Sequence, residues 1–293
     1  MGINLVKDEY FYGHKGCAGC GGSLAVRLAL KALGKNTIVV VPAGCMSAVG
    51  FVYPQLAFGV NALISPFAST GAMLSGVAVA AKALGNEDVN VVGFAGDGGT
   101  ADIGLQALSG AVDRDDNIIY ICYDNEAYMN TGVQQSSLTP YGSSTTTSPA
   151  GNRIHGSQNT KKDMFDIIAA HKIKYAATAS IGDINDYVNK VKKAASVKGA
   201  AYIHVSAPCP TGWGIDSSDT IEIAKEAIEC GLWYLAEYEN GEYKLNRQIK
   251  NFSSIKNYLR KQKRFKHLTD EDIKIIEEKR DIKWKQLNSW KSK

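Results

Sequence analysis

Residues 89–126 read VNVVGFAGDGGTADIGLQALSGAVDRDDNIIYICYDNE, and this stretch decides the fold. Val89 to Phe94 is an apolar, β-branched run, the pattern of a strand covered on both faces. It enters AGDGG, Ala95 to Gly99, whose glycines permit a tight turn, and a helical pattern follows from about Thr100 to Val112. Asn117 to Tyr123 (NIIYICY) is a second buried strand, ending in Asp124-Asn125-Glu126. Strand, helix and strand in this order make a parallel crossover unit.

Outward from this unit the same alternation continues. Gly22 to Leu33 reads as an amphipathic helix stopped by Gly34, and Thr37 to Val41 as a strand. Thr70 to Leu84 is small and apolar all round, which predicts a buried helix. Helices are expected near Asp163–His171, Ile184–Val197 and Thr220–Glu237, with strands near Lys174–Thr178 and Ala201–Ser206. The fold class is therefore α/β, a mostly parallel sheet with helices on both faces and ligands at the carboxyl ends of its strands. Thr131 to Thr160 interrupts the alternation with Ser, Thr, Gly and Gln, and a polar loop of that length is expected to be functional or mobile. The reading divides the chain into a domain over 1–236 and a basic C-terminal extension over 237–293, with a hairpin arm in GEYKLN. A charged helix follows from Asp270 to about Trp290, its acidic residues placed in the first turn.

Composition narrows the function classes. With 293 residues, 45% of them hydrophobic, the chain can bury a large core without disulfide or metal staples, which excludes a disordered protein. The net charge of +4 hides an asymmetry: residues 241–293 hold 16 basic and 7 acidic side chains, the first 240 hold 17 and 22. Such a tail can wrap an acidic partner subunit, form a solvated face or bind nucleic acid. No recognition motif accompanies it, and Tyr258, Phe265, Trp284 and Trp290 favour a protein interface. No charge occurs between Lys35 and Lys82, but prolines and glycines break that stretch too often for a membrane span of about 20 apolar residues. The first fifteen residues lack the apolar segment of a signal peptide, so a cytoplasmic protein with free cysteines is expected.

Two constellations could carry chemistry. Gly96-Asp97-Gly98 stands between a strand and a helix, where backbone N–H groups and a helix dipole suit a phosphate and an acid suits a hard cation. Alone it is equally an ordinary βα turn. Asn125 sharpens it, because it lies 28 residues on, at the end of the next strand. Asp97 and Asn125 can then offer oxygens to one Mg²⁺, with a backbone carbonyl as a third ligand. This pairing resembles the thiamine diphosphate signature. The second constellation is Cys17-x-x-Cys20, with Cys45 after one strand and Cys209 after another. Four thiolates converging on one sheet edge could hold zinc or a [4Fe–4S] cluster, and spacing leaves both open. Cys122 and Cys230 read as small core residues.

The stretch from Gly96 to Leu138, its continuation TPYGSSTTTSPAG, and the segments HKGCAGCGGSLAVRLAL, PAGCMSAV, APCPTGW and YLRKQKRFKHLTDEDI together resemble the β subunits of the multisubunit 2-oxoacid:ferredoxin oxidoreductases, those of the pyruvate:ferredoxin (pyruvate synthase) type in particular. The likeness spans essentially the whole chain. It implies a subunit carrying thiamine diphosphate, Mg²⁺ and a [4Fe–4S] cluster, in a reaction that converts pyruvate and coenzyme A reversibly to acetyl-CoA and CO₂. Electrons pass through the cluster to ferredoxin. On this resemblance Cys17, Cys20, Cys45 and Cys209 are cluster ligands, which selects iron–sulfur over zinc. Asp97, Asn125 and the carbonyl of Ala127 are Mg²⁺ ligands, Gly96, Gly98 and Thr131 line the diphosphate, and Asn130 stands beside the reactive ring. The glutamate that activates the cofactor is expected from an α subunit, Glu126 is expected to be structural, and γ and δ subunits complete the complex. A branched-chain or aryl 2-oxoacid substrate, and a zinc-binding non-redox module, are the alternatives. His155, in the polar loop, is a candidate contact for substrate or coenzyme A, and His14 is expected to make a loop hydrogen bond.

Overall fold

The computed structural model describes residues 9–151 and 155–290. Among the described residues ten strands occur: β1 (Thr37–Pro42), β2 (Phe51–Val52), β3 (Gln55–Leu56), β4 (Asn61–Ser65), β5 (Asn90–Gly96), β6 (Ile119–Asp124), β7 (Tyr175–Ser180), β8 (Ala201–Ser206), β9 (Ala236–Glu239) and β10 (Glu242–Leu245). Eight form one sheet in the order β10-β9-β7-β8-β6-β5-β1-β4, while β2 and β3 make a separate ribbon. The six central and edge strands from β7 to β4 are mutually parallel; β9 runs antiparallel to β7, and β10 antiparallel to β9.

Helices cover both faces, as the alternation predicts. One face packs α1 (Gly21–Leu33), α2 (Cys45–Gly50) and α7 (Ile184–Ser196) through Val26, Leu30, Met46, Tyr187 and Val191. The other packs α3 (Thr70–Ala83), α4 (Asp97–Ala101), α5 (Leu105–Asp113) and α6 (Met164–Ala170) through Leu74, Leu108, Phe165 and Ile168. A third buried cluster joins α8 (Pro210–Trp213), α9 (Thr220–Glu229), α10 (Ile255–Arg260) and α11 (Asp270–Ser289) around Trp213, Trp233 and Tyr258. Burying one such large apolar side chain contributes about 1.5–3 kcal/mol, so this cluster ties the C-terminal segment firmly to the sheet.

Several expected boundaries move. The helix expected over 100–112 is two helices, because Gly104 backs against the Gly99 carbonyl, where a Cβ would stand 2.1 Å away. The helix expected over 220–237 ends at Glu229; Gly231, with φ +79°, turns the chain, and β9 follows. Asn61–Ser65 is an unexpected edge strand. Helix α3 is not buried all round: Val79 is 64% exposed, and only Thr70, Gly71, Leu74 and Ala81 are covered. Its small residues serve close approach to α5, since a Cβ on Gly71 would lie 2.5 Å from the Ala107 backbone.

The boundary placed at 236/237 falls within β9, and the expected GEYKLN arm is β10, the strand that closes this edge. Helix α11 begins at a Thr269–Asp272 capping box, as its acidic first turn suggests. Much of the tail's positive charge is matched within the chain: Lys256 pairs with Asp270, Lys261 with Glu226, Arg264 with Glu126, and Lys283 with Asp163 and Asp166. Glu237 in β9 accepts hydrogen bonds from Tyr175 Oη (2.9 Å), Lys193 Nζ (2.9 Å) and Asn246 Nδ2 (2.6 Å). Burial alone would raise its carboxyl, but these donors bring it down to about 2. A depressed carboxyl stabilises the fold above its unfolded pKa and loses that contribution as pH falls through the folded one. Glu237→Gln should therefore cost about 2 kcal/mol at neutral pH, after allowance for solvent screening. The difference from the parent should vanish in chemical denaturation as pH falls from 4.5 towards about 2.

Candidate cofactor site

Strands β5 and β6 are hydrogen-bonded neighbours with Gly96 opposite Tyr123, so their carboxyl ends deliver Asp97 and Asn125 to one place. Asp97 is 1% exposed and Asn125 8%. One terminal atom of the Asn125 amide lies 3.0 Å from Asp97 Oδ1 and 2.9 Å from the Ala127 carbonyl oxygen. With nitrogen facing them, the amide donates to both. Turned over, the amide presents its oxygen beside the Asp97 carboxylate and the Ala127 carbonyl, an all-oxygen donor set of the kind Mg²⁺ takes. Burial, then the nearby Asp124 carboxylate, push the Asp97 carboxyl well above its ordinary value, and the Ser136 hydroxyl that donates to it offsets this only in part. A divalent cation would return it to the carboxylate.

The polar loop expected to be functional or mobile is, over its described residues, stitched to this site. Ser136 donates to Asp97; Ser137 and the Tyr128 hydroxyl (2.8 Å) donate to Asp102; Thr139 Oγ1 donates to the Glu126 carbonyl at 2.7 Å. Ser136, Thr139, Ser143, Ser148 and Ser157 are buried. The segment Tyr128–Gln134 closes on itself through backbone hydrogen bonds and leaves Asn130 and Thr131 exposed at its tip, with Thr131 Oγ1 bonded to Gln134 Oε1. Gly96 caps α4, and Gly98 is buried where the Tyr128 ring occupies the place of a Cβ.

Beneath the triad lies a charged network that spacing did not reveal. Lys161 bridges Asp124 and Glu126 at 2.7 Å each, His204 Nε2 meets Asp124 at 2.9 Å, and Arg264 meets Glu126 at 2.6 Å. Burial would raise Asp124, but Lys161 and His204 outweigh it and hold the carboxyl at about 2. Glu126 is thus held between two cations, Lys161 and Arg264. Trp213 Nε1 donates to the Asn125 carbonyl at 2.8 Å and fixes the backbone of the triad from below. His14 makes the expected loop bond, accepting from the Gly16 N–H at 3.1 Å. His155 pairs with Asp272 at 3.1 Å rather than standing free.

Glycine contacts bring the loop of Cys17 and Cys20 against the segment of Cys209, and Cys45 lies close enough to feel the charges of all three. Gly21 N–H donates to the Pro208 carbonyl at 3.1 Å, and a Cβ on Gly21 would lie 2.6 Å from that oxygen. Gly19, at φ +68°, abuts Ser217. Cys20 caps α1 and accepts from Ser23 N–H at 3.4 Å; Cys209 caps α8 and accepts from Gly212 N–H at 3.3 Å; Cys45 opens α2. Helix N-termini and N–H···S bonds favour bound thiolates over thiols. Burial first, then proximity to Cys20, Cys209 and Cys17, push the Cys45 thiol up to about 12. Among the described residues no three His, Cys, Asp or Glu side chains are grouped closely enough for a single metal ion. Cys122 and Cys230 are core residues at 0% exposure. Gly21→Ala should drive the CxxC loop away from Cys209; about 1–3 kcal/mol of stability should be lost in thermal unfolding, since backbone rather than a flexible side chain blocks the methyl.

Comparison with known proteins agrees with this geometry. Residues 42–205, more than half of the chain, match the thiamine pyrophosphate enzyme C-terminal TPP-binding domain. The chain is 52% identical over 277 residues to pyruvate synthase subunit PorB of Methanothermobacter thermautotrophicus, covering 94% of this chain and 96% of that one. It is 46% identical over 288 residues to ketoisovalerate oxidoreductase subunit VorB of Pyrococcus abyssi, covering 96% and 93%. The fold is shared with 2-oxoglutarate:ferredoxin oxidoreductase from Magnetococcus marinus (TM-score 0.59, 22% identity, 74% of this chain and 79% of that one). The chain belongs to the thiamine pyrophosphate enzymes and, among them, to the family of PorB and VorB subunits.

Proposed function

We propose that this chain is the cofactor-bearing β subunit of a 2-oxoacid:ferredoxin oxidoreductase, and that pyruvate is the acid it takes. With coenzyme A as acyl acceptor the reaction yields acetyl-CoA and CO₂ and passes two electrons to ferredoxin, and it runs in either direction. The observation that carries the reading is the meeting of Asp97, Asn125 and the Ala127 carbonyl at the ends of the neighbouring strands β5 and β6, an oxygen donor set of the kind Mg²⁺ takes. In this reading those three groups hold the cation, Gly96, Gly98 and Thr131 line the diphosphate, and Asn130 stands beside the reactive ring. When bound, thiamine diphosphate supplies an electron sink for loss of CO₂, and a [4Fe–4S] cluster on Cys17, Cys20, Cys45 and Cys209 takes electrons singly.

This chain's own residues do the positioning. The Lys161 and Arg264 bridges hold Glu126 and Asp124 rigid on either side of Asn125, and Trp213 anchors its carbonyl. Asn130 and Thr131 lie at an exposed tip, which suits a cofactor shared with an α subunit that brings the activating glutamate. γ and δ subunits would complete the electron path. Pyruvate is the acid that the sequence resemblance implies, while PorB and VorB relatives overlap in identity, at 45–52% and 46–47%.

The test is anaerobic purification with the native partner subunits, followed by iron, sulfide and thiamine diphosphate assays and ferredoxin reduction with a panel of 2-oxoacids. About four iron and four sulfide attributable to this chain, one thiamine diphosphate and fastest turnover of pyruvate are expected. Zinc without sulfide would overturn the redox role, and preference for 2-oxoisovalerate would overturn the substrate assignment alone.

A further inference from the structure

Three buried tryptophans each donate an indole N–H to a backbone carbonyl at 2.8 Å: Trp213 to Asn125, Trp233 to Ala179 and Trp284 to Gly231. Of these three acceptors, Asn125 alone belongs to the proposed metal site. Trp213 also closes α8, the single turn that opens at Cys209. Its backbone N–H donates to the Cys209 carbonyl at 2.8 Å, and the preceding Gly212 N–H donates to the Cys209 sulfur at 3.3 Å. The five residues from Cys209 to Trp213 therefore hold a proposed cluster ligand at one end and a bond to a proposed Mg²⁺ ligand at the other. The turn is braced from outside as well. The Arg264 guanidinium sits over the Trp213 ring, 3.7 Å from its centroid, and pairs at 2.6 Å with Glu126, the residue after Asn125. Met129, the residue before Asn130, fills the space beside Gly212: a Cβ there would overlap its sulfur and stand 3.5 Å from Cys209 Sγ. A ring held by a hydrogen bond at its edge and a cation on its face has a fixed orientation.

We propose that Trp213 is a positioning residue that fixes the metal–diphosphate corner and the cluster corner relative to each other. The inference rests on the function proposed above and adds to it a residue outside both ligand sets. Without the indole N–H the Asn125 carbonyl loses its buried donor, and the backbone from Asn125 to Ala127 is released from the place where its oxygens meet Asp97. The same loss unties α8 at its far end, so the N–H···S bond at Cys209 is held less firmly. Hydrogen bonds to the sulfurs favour the more negative, reduced cluster and so help to set its potential.

The test compares Trp213→Phe with Trp284→Phe in the complete complex. Both variants keep an aromatic ring and lose one buried N–H bond, but Trp284 lies on α11 and its acceptor, Gly231, belongs to neither ligand set. Thiamine diphosphate retained after gel filtration is measured against Mg²⁺ concentration, and the cluster is followed by iron assay and EPR-monitored redox titration. Trp213→Phe should keep its full iron content and need about tenfold more Mg²⁺ for half retention, the usual cost of removing a group that orients a metal's direct ligands. Its cluster midpoint potential should shift downward. Trp284→Phe should melt at a lower temperature than the parent yet match it in both readouts. Should Trp213→Phe not assemble, benzothienylalanine placed at position 213, which exchanges only the N–H for sulfur, gives the same comparison. Equal readouts in the two variants, or a change at one corner alone, would overturn the inference and leave the proposed function standing. A parent complex without iron or without thiamine diphosphate would overturn both.

Discussion

Asp97→Asn is expected to abolish Mg²⁺-dependent retention of thiamine diphosphate by the assembled complex, while the cofactor-free protein unfolds at no lower temperature than its parent. Asp97 is the one anionic member of the triad, and Mg²⁺ holds its protein sites through carboxylates. Its removal should lower cofactor affinity at least about 100-fold, the upper end of what even groups supporting a metal's direct ligands contribute. The second half of the expectation comes from burial. A carboxylate at 1% exposure beside Asp124 is unfavourable without a cation, and asparagine keeps the shape and can still accept the Ser136 hydroxyl. The measurement is thiamine diphosphate content after gel filtration with Mg²⁺ or with chelator, alongside thermal melts of the cofactor-free proteins. In the parent, chelator should mimic the substitution. Full occupancy in the variant would remove Asp97 from the metal site. A melting temperature several degrees lower would assign it a structural role instead.

The parts of this molecule that were legible in sequence are those in which local chemistry and topology coincide. AGDGG must turn because of its glycines, and two buried strands 28 residues apart must bring their ends together, so Asp97 and Asn125 could be paired before any coordinates were known. CxxC was visible for the same reason: two cysteines in one glycine-dense loop. Edge strand β4 was not legible, because its residues NALIS lack alternation and lie in a stretch without charge. The break between α4 and α5 depends on Gly104 meeting the Gly99 carbonyl, a contact made by packing rather than by propensity. Strand β9 was absorbed into a helix, although Gly231 marks the stop. The network of Lys161, Asp124, His204 and Arg264 joins residues up to 140 positions apart, with Asp124 and Arg264 at its extremes, and no spacing rule finds that. Composition marked the polar loop as functional or mobile but not where its polar groups go: Ser136 donates to Asp97 and Ser137 to Asp102, bonds that only the tertiary fold makes.

Cys209→Ala and Cys230→Ala should separate two cysteines that composition does not distinguish. Cys209 follows β8 at the N-cap of α8, its sulfur faces the Gly212 N–H, and Gly21, just after the CxxC, presses against the preceding Pro208. A thiolate here is one corner of the proposed four-thiolate cage, and three thiolates with one corner open leave an iron exposed to solvent and oxidant. Cys230 ends α9 in the apolar cluster of Trp233 and Ile255, its sulfur near the Ala227 carbonyl at 3.6 Å. Burial first pushes its thiol up to about 12, so it remains a neutral core residue. After anaerobic purification of the complex, Cys209→Ala should have lost up to about four iron and four sulfide per chain and its ferredoxin-reducing activity. Cys230→Ala should keep its full iron content and lose about 1 kcal/mol of stability, the cost of a small buried void. The two substitutions remove the same atom from opposite environments, so the contrast isolates ligation from folding. Iron loss on Cys230→Ala with retention on Cys209→Ala would move the fourth corner from the end of β8 to α9 and undo the assignment of the cage.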